Sequence, residues 1–214
     1  MIYKQKYQHI SQELHDSNVK LIAVSKTKPV EDILALYEGG QKDFGENYVQ
    51  ELVDKHRVLP KDINWHFIGH LQSNKVKQIA EFVHLIHGVD SYKLLQEINK
   101  QALKFNRIVN VLLQVHIASE ETKFGLDENE LQNIFADPDL ANLKNVKVIG
   151  LMGMASFTTN ERQIANEFKH LSEIKNNYPQ LTELSMGMSS DYNIAITHGS
   201  TMVRIGSLLF GARN

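Results

Sequence analysis

Short apolar, β-branched runs alternate along the chain with segments in which apolar residues recur every three or four positions, and the alternation repeats eight times. Such a pattern predicts parallel strands joined by crossover helices. The first strand is expected at residues 21–25. Pro29 then opens a helix, a position that suits its fixed φ and missing N–H. That helix has an apolar face of Val30, Ile33, Leu34 and Tyr37 and is stopped by Gly39-Gly40. A very short second strand surrounds residues 43–45, and the helix after it buries Val49, Leu52 and Val53 before Pro60. The third strand, 65–68, precedes a helix carrying Val76, Ile79 and Ala80. The fourth, 83–89, precedes one carrying Leu94, Leu95, Ile98, Ala102 and Phe105. The fifth, 108–117, is expected to be the longest, with a polar loop over 119–125 and a helix near 128–135. The sixth, 146–152, is followed by a helix using Ile164, Phe168, Leu171 and Ile174. A short seventh strand at 183–185 and an eighth at 202–205 lead to a last helical turn at 208–210.

These elements predict a single α/β domain, a (β/α)8 TIM barrel over residues 19–214 with an extra N-terminal helix at 1–18 that plugs or flanks it. The rival is an open doubly wound sheet. Eight strands in 214 residues, with no hairpin signal such as Asn-Gly, favour closure.

Composition narrows the function. With 42% hydrophobic residues the chain has enough for one full core and too little for two. A net charge of −2, from 23 basic and 25 acidic residues, gives no electrostatic reason to expect nucleic acid or an anionic membrane as main partner. The absence of cysteine excludes disulfides, thiolate metal sites and thiol nucleophiles. No apolar run approaches the ~20 residues of a membrane span. The N-terminus lacks a signal peptide's apolar core, and Glu13 and Asp16 argue against a mitochondrial address, so the expected location is the cytoplasm.

In a barrel, chemistry belongs at the C-terminal strand ends, and the unusual polar residues fall there. Lys26 directly follows an apolar run, so its amine is directed at the mouth. Partial desolvation there leaves free amine able to condense with an aldehyde; the plainer alternative is a lysine that snorkels to water. Arg204 ends the eighth strand and reads as an anion clamp, a donor to a ring nitrogen, or half of a rim ion pair. Gly206-Ser207 precedes the last helical turn, where backbone N–H groups suit a phosphate, and Ser189, Ser200 and Thr201 offer hydroxyls. Ordinary turn and capping chemistry explains the same residues. Glu46-Asn47, Asp90, Met152, Met154 and Lys123 also fall at strand ends or in the loops beyond. No phosphate-binding Gly-rich motif of the nucleotide hydrolases or dinucleotide binders occurs. The pairs His66/His70 and His84/His87 do not converge as strand residues, so no metal is expected.

Several stretches, in order, resemble a known family. They are Ala23-Val24-Ser25-Lys26-Thr27-Lys28, residues 44–51 (Phe44-Gly45-Glu46-Asn47 onward), Trp65-His66-Phe67-Ile68-Gly69 with 71–75, and Lys123-Phe124-Gly125. Gly150-Leu151-Met152, Ser185-Met186-Gly187-Met188-Ser189, residues 199–206 and Phe210-Gly211-Ala212-Arg213 complete the set. The chain resembles the pyridoxal phosphate homeostasis proteins, also called the proline synthetase co-transcribed family. The resemblance implies a barrel like that of alanine racemase, binding pyridoxal 5′-phosphate (PLP). Lys26 matches the lysine that forms the internal aldimine, and Arg204 the arginine facing the pyridine nitrogen. Ser189, Gly206, Ser207 and Thr201 match the phosphate cradle. Asn47 and residues 66–68, with His66 and Ile68, match the ring's surroundings, and Met152 and Ser185 look like further pocket walls.

The expectation is a PLP carrier in vitamin B6 homeostasis without dedicated turnover. A permanent cation at the ring nitrogen weakens the electron sink. The chain also ends with its eighth unit, leaving no residues for the second domain of a racemase. PLP-dependent apoenzymes are the candidate recipients, and the resemblance suggests a monomer. The alternative is a PLP-dependent amino-acid racemase of low activity; a cofactor-free Schiff-base aldolase and a pure interaction protein are further readings.

Overall fold

The computed structural model describes residues 4–120 and 124–211. Lys123, Ala212 and Arg213 lie outside the described residues. Eight parallel strands close in sequence order, each bonded to the next: β1 (Lys20–Val24), β2 (Asp43–Glu46), β3 (Asn64–Phe67), β4 (Leu85–Val89), β5 (Val109–Gln114), β6 (Val146–Met152), β7 (Glu183–Met188) and β8 (Met202–Ile205). Closure comes from β1 and β8, whose register runs from Lys20 opposite Met202 to Ala23 opposite Ile205. The expected barrel is therefore present, and the open sheet is ruled out.

Strand alternation sorts the core into two layers. Ile22, Leu85, Leu112, Met152 and Met202 pack inside the barrel. Their sequence neighbours, such as Ala23, Ile86 and Leu151, face outward into the larger core beneath the helices. The helices are α1 (Lys4–Asp16), α2 (Val30–Glu38), α3 (Val49–Val58), α4 (Tyr92–Leu103), α5 (Glu128–Ala136), α6 (Glu161–Asn176), α7 (Tyr192–Thr197) and α8 (Ser207–Phe210). Amphipathic α1 buries Tyr7, Ile10 and Leu14. It lies against β1 and α8, so it flanks the barrel and does not plug it.

Four elements differ from expectation. The longest strand is β6, with seven residues, and β5 has six. Beyond Gln114 the chain leaves the sheet, keeping a lone bridge from Val115 to Leu126. After β3 comes a 3-10 turn, Ser73–Gln78, in place of an α-helix. Its apolar Val76 and Ile79 stand three apart, the repeat a 3-10 helix presents to one side. Strand β7 runs on to Met188, three residues past the expected end, and α7 follows it. That helix is short and only Ala195 is fully buried, too little periodic signal to read. Among the described residues no helix is long and apolar enough to cross a membrane.

Candidate functional site

At the C-terminal end of the barrel lies a cavity of about 490 Å3. Its wall includes Lys26, Asn47, Ile68, Ser189, Arg204, Gly206 and Ser207, all singled out from the sequence. Met154 and Met188, which the sequence also placed at or beyond strand ends, line it too, and the structure adds Lys28, Ser190 and the solvent-exposed Phe157.

Lys26 is half-buried just past β1, and its backbone is clamped from behind. The buried Lys55 ammonium of α3 donates to the Ser25 carbonyl (2.7 Å), to Glu46 Oε1 (2.8 Å) and to Glu51 Oε1 (2.6 Å). The Ser25 hydroxyl donates to Glu46 (2.6 Å), and the Thr27 amide donates to Glu51 (2.6 Å). Thr27 sits at φ 63°, a left-handed conformation that costs a β-branched residue about 1–3 kcal/mol. The Glu51 contact holds that turn and so fixes where Lys26 leaves the strand. Burial pushes the Glu46 carboxyl up to about 6, against the pull of Lys55, and its Oε2 has no partner.

Asn47 follows β2, and its Oδ1 is buried without a hydrogen-bond partner, a polar group that a ligand would complete. The chain just past β3 comes close to it: a Cβ on Gly69 would lie 2.3 Å from the Asn47 carbonyl oxygen. Only glycine permits that approach. On the opposite wall, the Gly206 amide donates to the Ser189 hydroxyl (3.3 Å), joining the β7 and β8 ends where Ser207 opens α8.

Arg204 forms the floor and is 5% exposed. One guanidinium nitrogen donates to the Ser185 carbonyl (2.8 Å) and hydroxyl (2.6 Å), and the other to the Gly153 carbonyl (3.0 Å). Burial pulls its pKa down to about 10, opposed by the charge of Asp191, so it remains a cation at neutral pH.

Ser185 and His66 lie behind this floor. Ser185 Oγ is 2.9 Å from His87 Nδ1, His87 Nε2 is 2.9 Å from His66 Nδ1, and His66 Nε2 is 2.9 Å from Asp43 Oδ1. Both imidazoles are fully buried. Burial pushes the pKa of each down, for His66 against the pull of Asp43. Burial would raise Asp43, but the hydrogen bond from His66, helped by the Lys20 charge and a hydrogen bond from Asn64, holds that carboxyl below its usual range.

The remaining expected site residues fall elsewhere. Met152 packs in the barrel interior. Thr201 lies at the start of β8, the end remote from the cavity, where its hydroxyl donates to Glu183 and accepts from the Leu184 amide. Ser200 Oγ is taken up by the Met186 and Met202 carbonyls. The expectation that the histidines do not converge needs correction. His87 and His84 both lie against His66, with ring centroids 5.1 and 5.3 Å away. Donor atoms of Asp43, His66 and His84 lie within 4.8 Å of one another. Spacing within one segment hid this, because the three come from neighbouring strands; the Asp43–His66 pair is already satisfied by its hydrogen bond. His70 instead pairs with Asp90 (3.1 Å) and stacks on Phe124. Alternation could have found His87, which shares the inward face of β4 with Leu85.

A closed barrel with a lysine at the end of its first strand and a guanidinium in its floor defines a class. Residues 3–214 match the family described as alanine racemase, N-terminal domain, and the chain belongs to it. Within that class it belongs with the pyridoxal phosphate homeostasis proteins. It is 43% identical over 200 residues to the protein of that name from Aquifex aeolicus, covering 91% of this chain and 87% of that protein. It is 40% identical over 207 residues to the one from Escherichia coli, covering 92% and 86%. The structure of PipY from Synechococcus elongatus with PLP bound superposes with a TM-score of 0.86 at 36% identity, covering 97% of this chain and 99% of PipY. Alanine racemase from Clostridium difficile shares the fold, with a TM-score of 0.74 at 15% identity over 98% of this chain and 57% of the racemase.

Proposed function

We propose that this chain binds PLP in the mouth cavity as an imine on Lys26 and serves PLP homeostasis without a dedicated reaction. The observation that carries the reading is that Lys26, Arg204, Ser189, Gly206 and Ser207 line one cavity. Each matches a part of PLP: an amine for the aldehyde, a cation for the ring, and hydroxyls with backbone N–H groups for the phosphate. Asn47, with its unpartnered buried oxygen, supplies a further polar contact. Bound there, PLP would supply an electrophilic carbon at which one amine can replace another.

Two features support storage over turnover. Arg204 is held as a cation by neutral acceptors and disfavours a proton on a ring nitrogen beside it, weakening the electron sink. Among the described residues lining the cavity, only Lys26 and Lys28 are able to move a proton, and no acid, histidine or tyrosine stands opposite them. The same reading makes the chain a cytoplasmic single-domain monomer that passes PLP to apoenzymes. The shared fold with alanine racemase favours one rival, a racemase of low activity.

The test is an absorbance spectrum of purified protein before and after hydroxylamine. A visible band that hydroxylamine discharges and Lys26→Ala abolishes is expected; an unchanged band in Lys26→Ala overturns the assignment. Incubation with L-amino acids in deuterated water decides turnover, because deuterium at Cα together with the D-isomer would establish the racemase.

A further inference from the structure

The hydrogen-bond path behind Arg204 crosses the whole barrel, from the cavity floor to Asp43 at the start of β2. We propose that Ser185, His87, His66 and Asp43 form a hydrogen-bond chain of one fixed direction that positions the Arg204 guanidinium beneath the cavity. His87 and His66 are thereby positioning residues, although neither lines the cavity.

The direction follows from the two ends. Arg204 has only donors, so Ser185 Oγ accepts from it. At the far end Asp43, as a carboxylate, has only acceptors, so His66 must present Nε2–H to it. The neutral His66 ring then has a bare Nδ1, which accepts from His87 Nε2–H. His87 Nδ1 is bare in turn and accepts the Ser185 hydroxyl proton. Every link has one donor and one acceptor, and the bond dipoles point the same way from cation to anion. Reversing the chain would aim the His66 lone pair at the Asp43 carboxylate. Among the described residues, no side-chain atom of Ser185, His87, His66, Asp43 or Arg204 is buried without a partner.

The consequence is geometric. The Ser185 hydroxyl, anchored by His87, can rotate only so far, and it fixes the guanidinium nitrogen 2.6 Å away. A buried chain satisfied at every member is stiff, because each broken link strands a polar group away from water. The guanidinium is therefore set in place before any ligand arrives. What it meets in the cavity rests on the PLP reading; the chain itself does not.

Nitrogen NMR of the histidine side chains in the PLP-free protein tests the chain directly. Both His66 and His87 should be neutral, protonated at Nε2 and bare at Nδ1. In Asp43→Ala the His87 signals should move along with those of His66, although His87 does not touch Asp43. A ring protonated at Nδ1, or His87 signals unmoved in Asp43→Ala, overturns the proposal. The wild-type spectrum decides the direction alone, so a variant that fails to fold leaves the test standing. In the cofactor arm, Ser185→Ala and His87→Phe that keep the wild-type circular dichroism should weaken PLP binding about tenfold, the worth of one buried hydrogen bond. Unchanged affinity in both would refute the positioning role. Failure of wild-type protein to bind PLP would instead refute the PLP reading and leave the ring spectra to judge the chain.

Discussion

Arg204 on β8 donates across 2.6 Å to the hydroxyl of Ser185 on β7, and this single contact joins the cavity floor to the polar interior of the barrel. Ser185 is fully buried, so its hydroxyl finds no water if Arg204 is lost.

Ser185→Ala should therefore cost about 1–3 kcal/mol, because it strands a guanidinium N–H and the acceptor of His87. Urea unfolding of the PLP-free protein measures it, with an unchanged slope expected. A cost below about 0.5 kcal/mol would mean that the surroundings rearrange to satisfy both groups.

Lys55 is the keystone of the clamp behind Lys26. Lys55→Met should destabilise by about 3–5 kcal/mol, since it leaves the buried Glu46 carboxylate without its cation. It also frees the Ser25 carbonyl and the Lys26 turn. Slower growth of the visible band on adding PLP to the folded variant is the expected second effect, read by stopped-flow absorbance.

Gly69→Ala links packing to binding. The added methyl would lie 2.3 Å from the Asn47 carbonyl oxygen, so the segments just past β2 and β3 must part. A loss of roughly 1–3 kcal/mol is expected from overpacking, with weaker PLP binding as Asn47 shifts. Thermal unfolding and equilibrium titration report the two separately.

Stability should fall as pH drops from 7.5 to 5.5. His66 and His87 have folded pKa values depressed below their unfolded ones. Below about 6.5 the unfolded chain takes up protons that the folded chain refuses, and each such proton costs up to about 1.4 kcal/mol per pH unit. Glu46 acts in the opposite sense: its folded pKa is raised from 4.5 to about 6, so its contribution is full below 4.5 and lost as pH rises through 6. Two buried histidines oppose one carboxyl over this range, so a net loss of stability is expected as the pH falls. Urea midpoints across that range check the sign.

Much of the cavity was legible before the structure. Lys26 stands one residue, Ser25, beyond a short apolar run, Arg204 lies within one, and Gly206-Ser207 follows it. Barrel logic places such residues at the mouth, and all four line the cavity. Thr201 shows the limit of that logic. It lies three residues before Arg204, yet a strand rises about 3.3 Å per residue, so it falls at the opposite end of β8 and bonds to Glu183. The family stretch spanning 199–206 contains both and does not separate them.

The order of apolar runs, the glycine and proline punctuation and the polar residues behind each run determined that this chain alternates strands with helices and that Lys26 lies at the mouth. Those signals are local, carried by neighbours along the backbone. Asp43, His66, His87, Ser185 and Arg204 come from five different strands and meet only because the sheet closes. Their partnership depends on register and inward facing around a ring, a relation between distant segments that no spacing along the chain encodes.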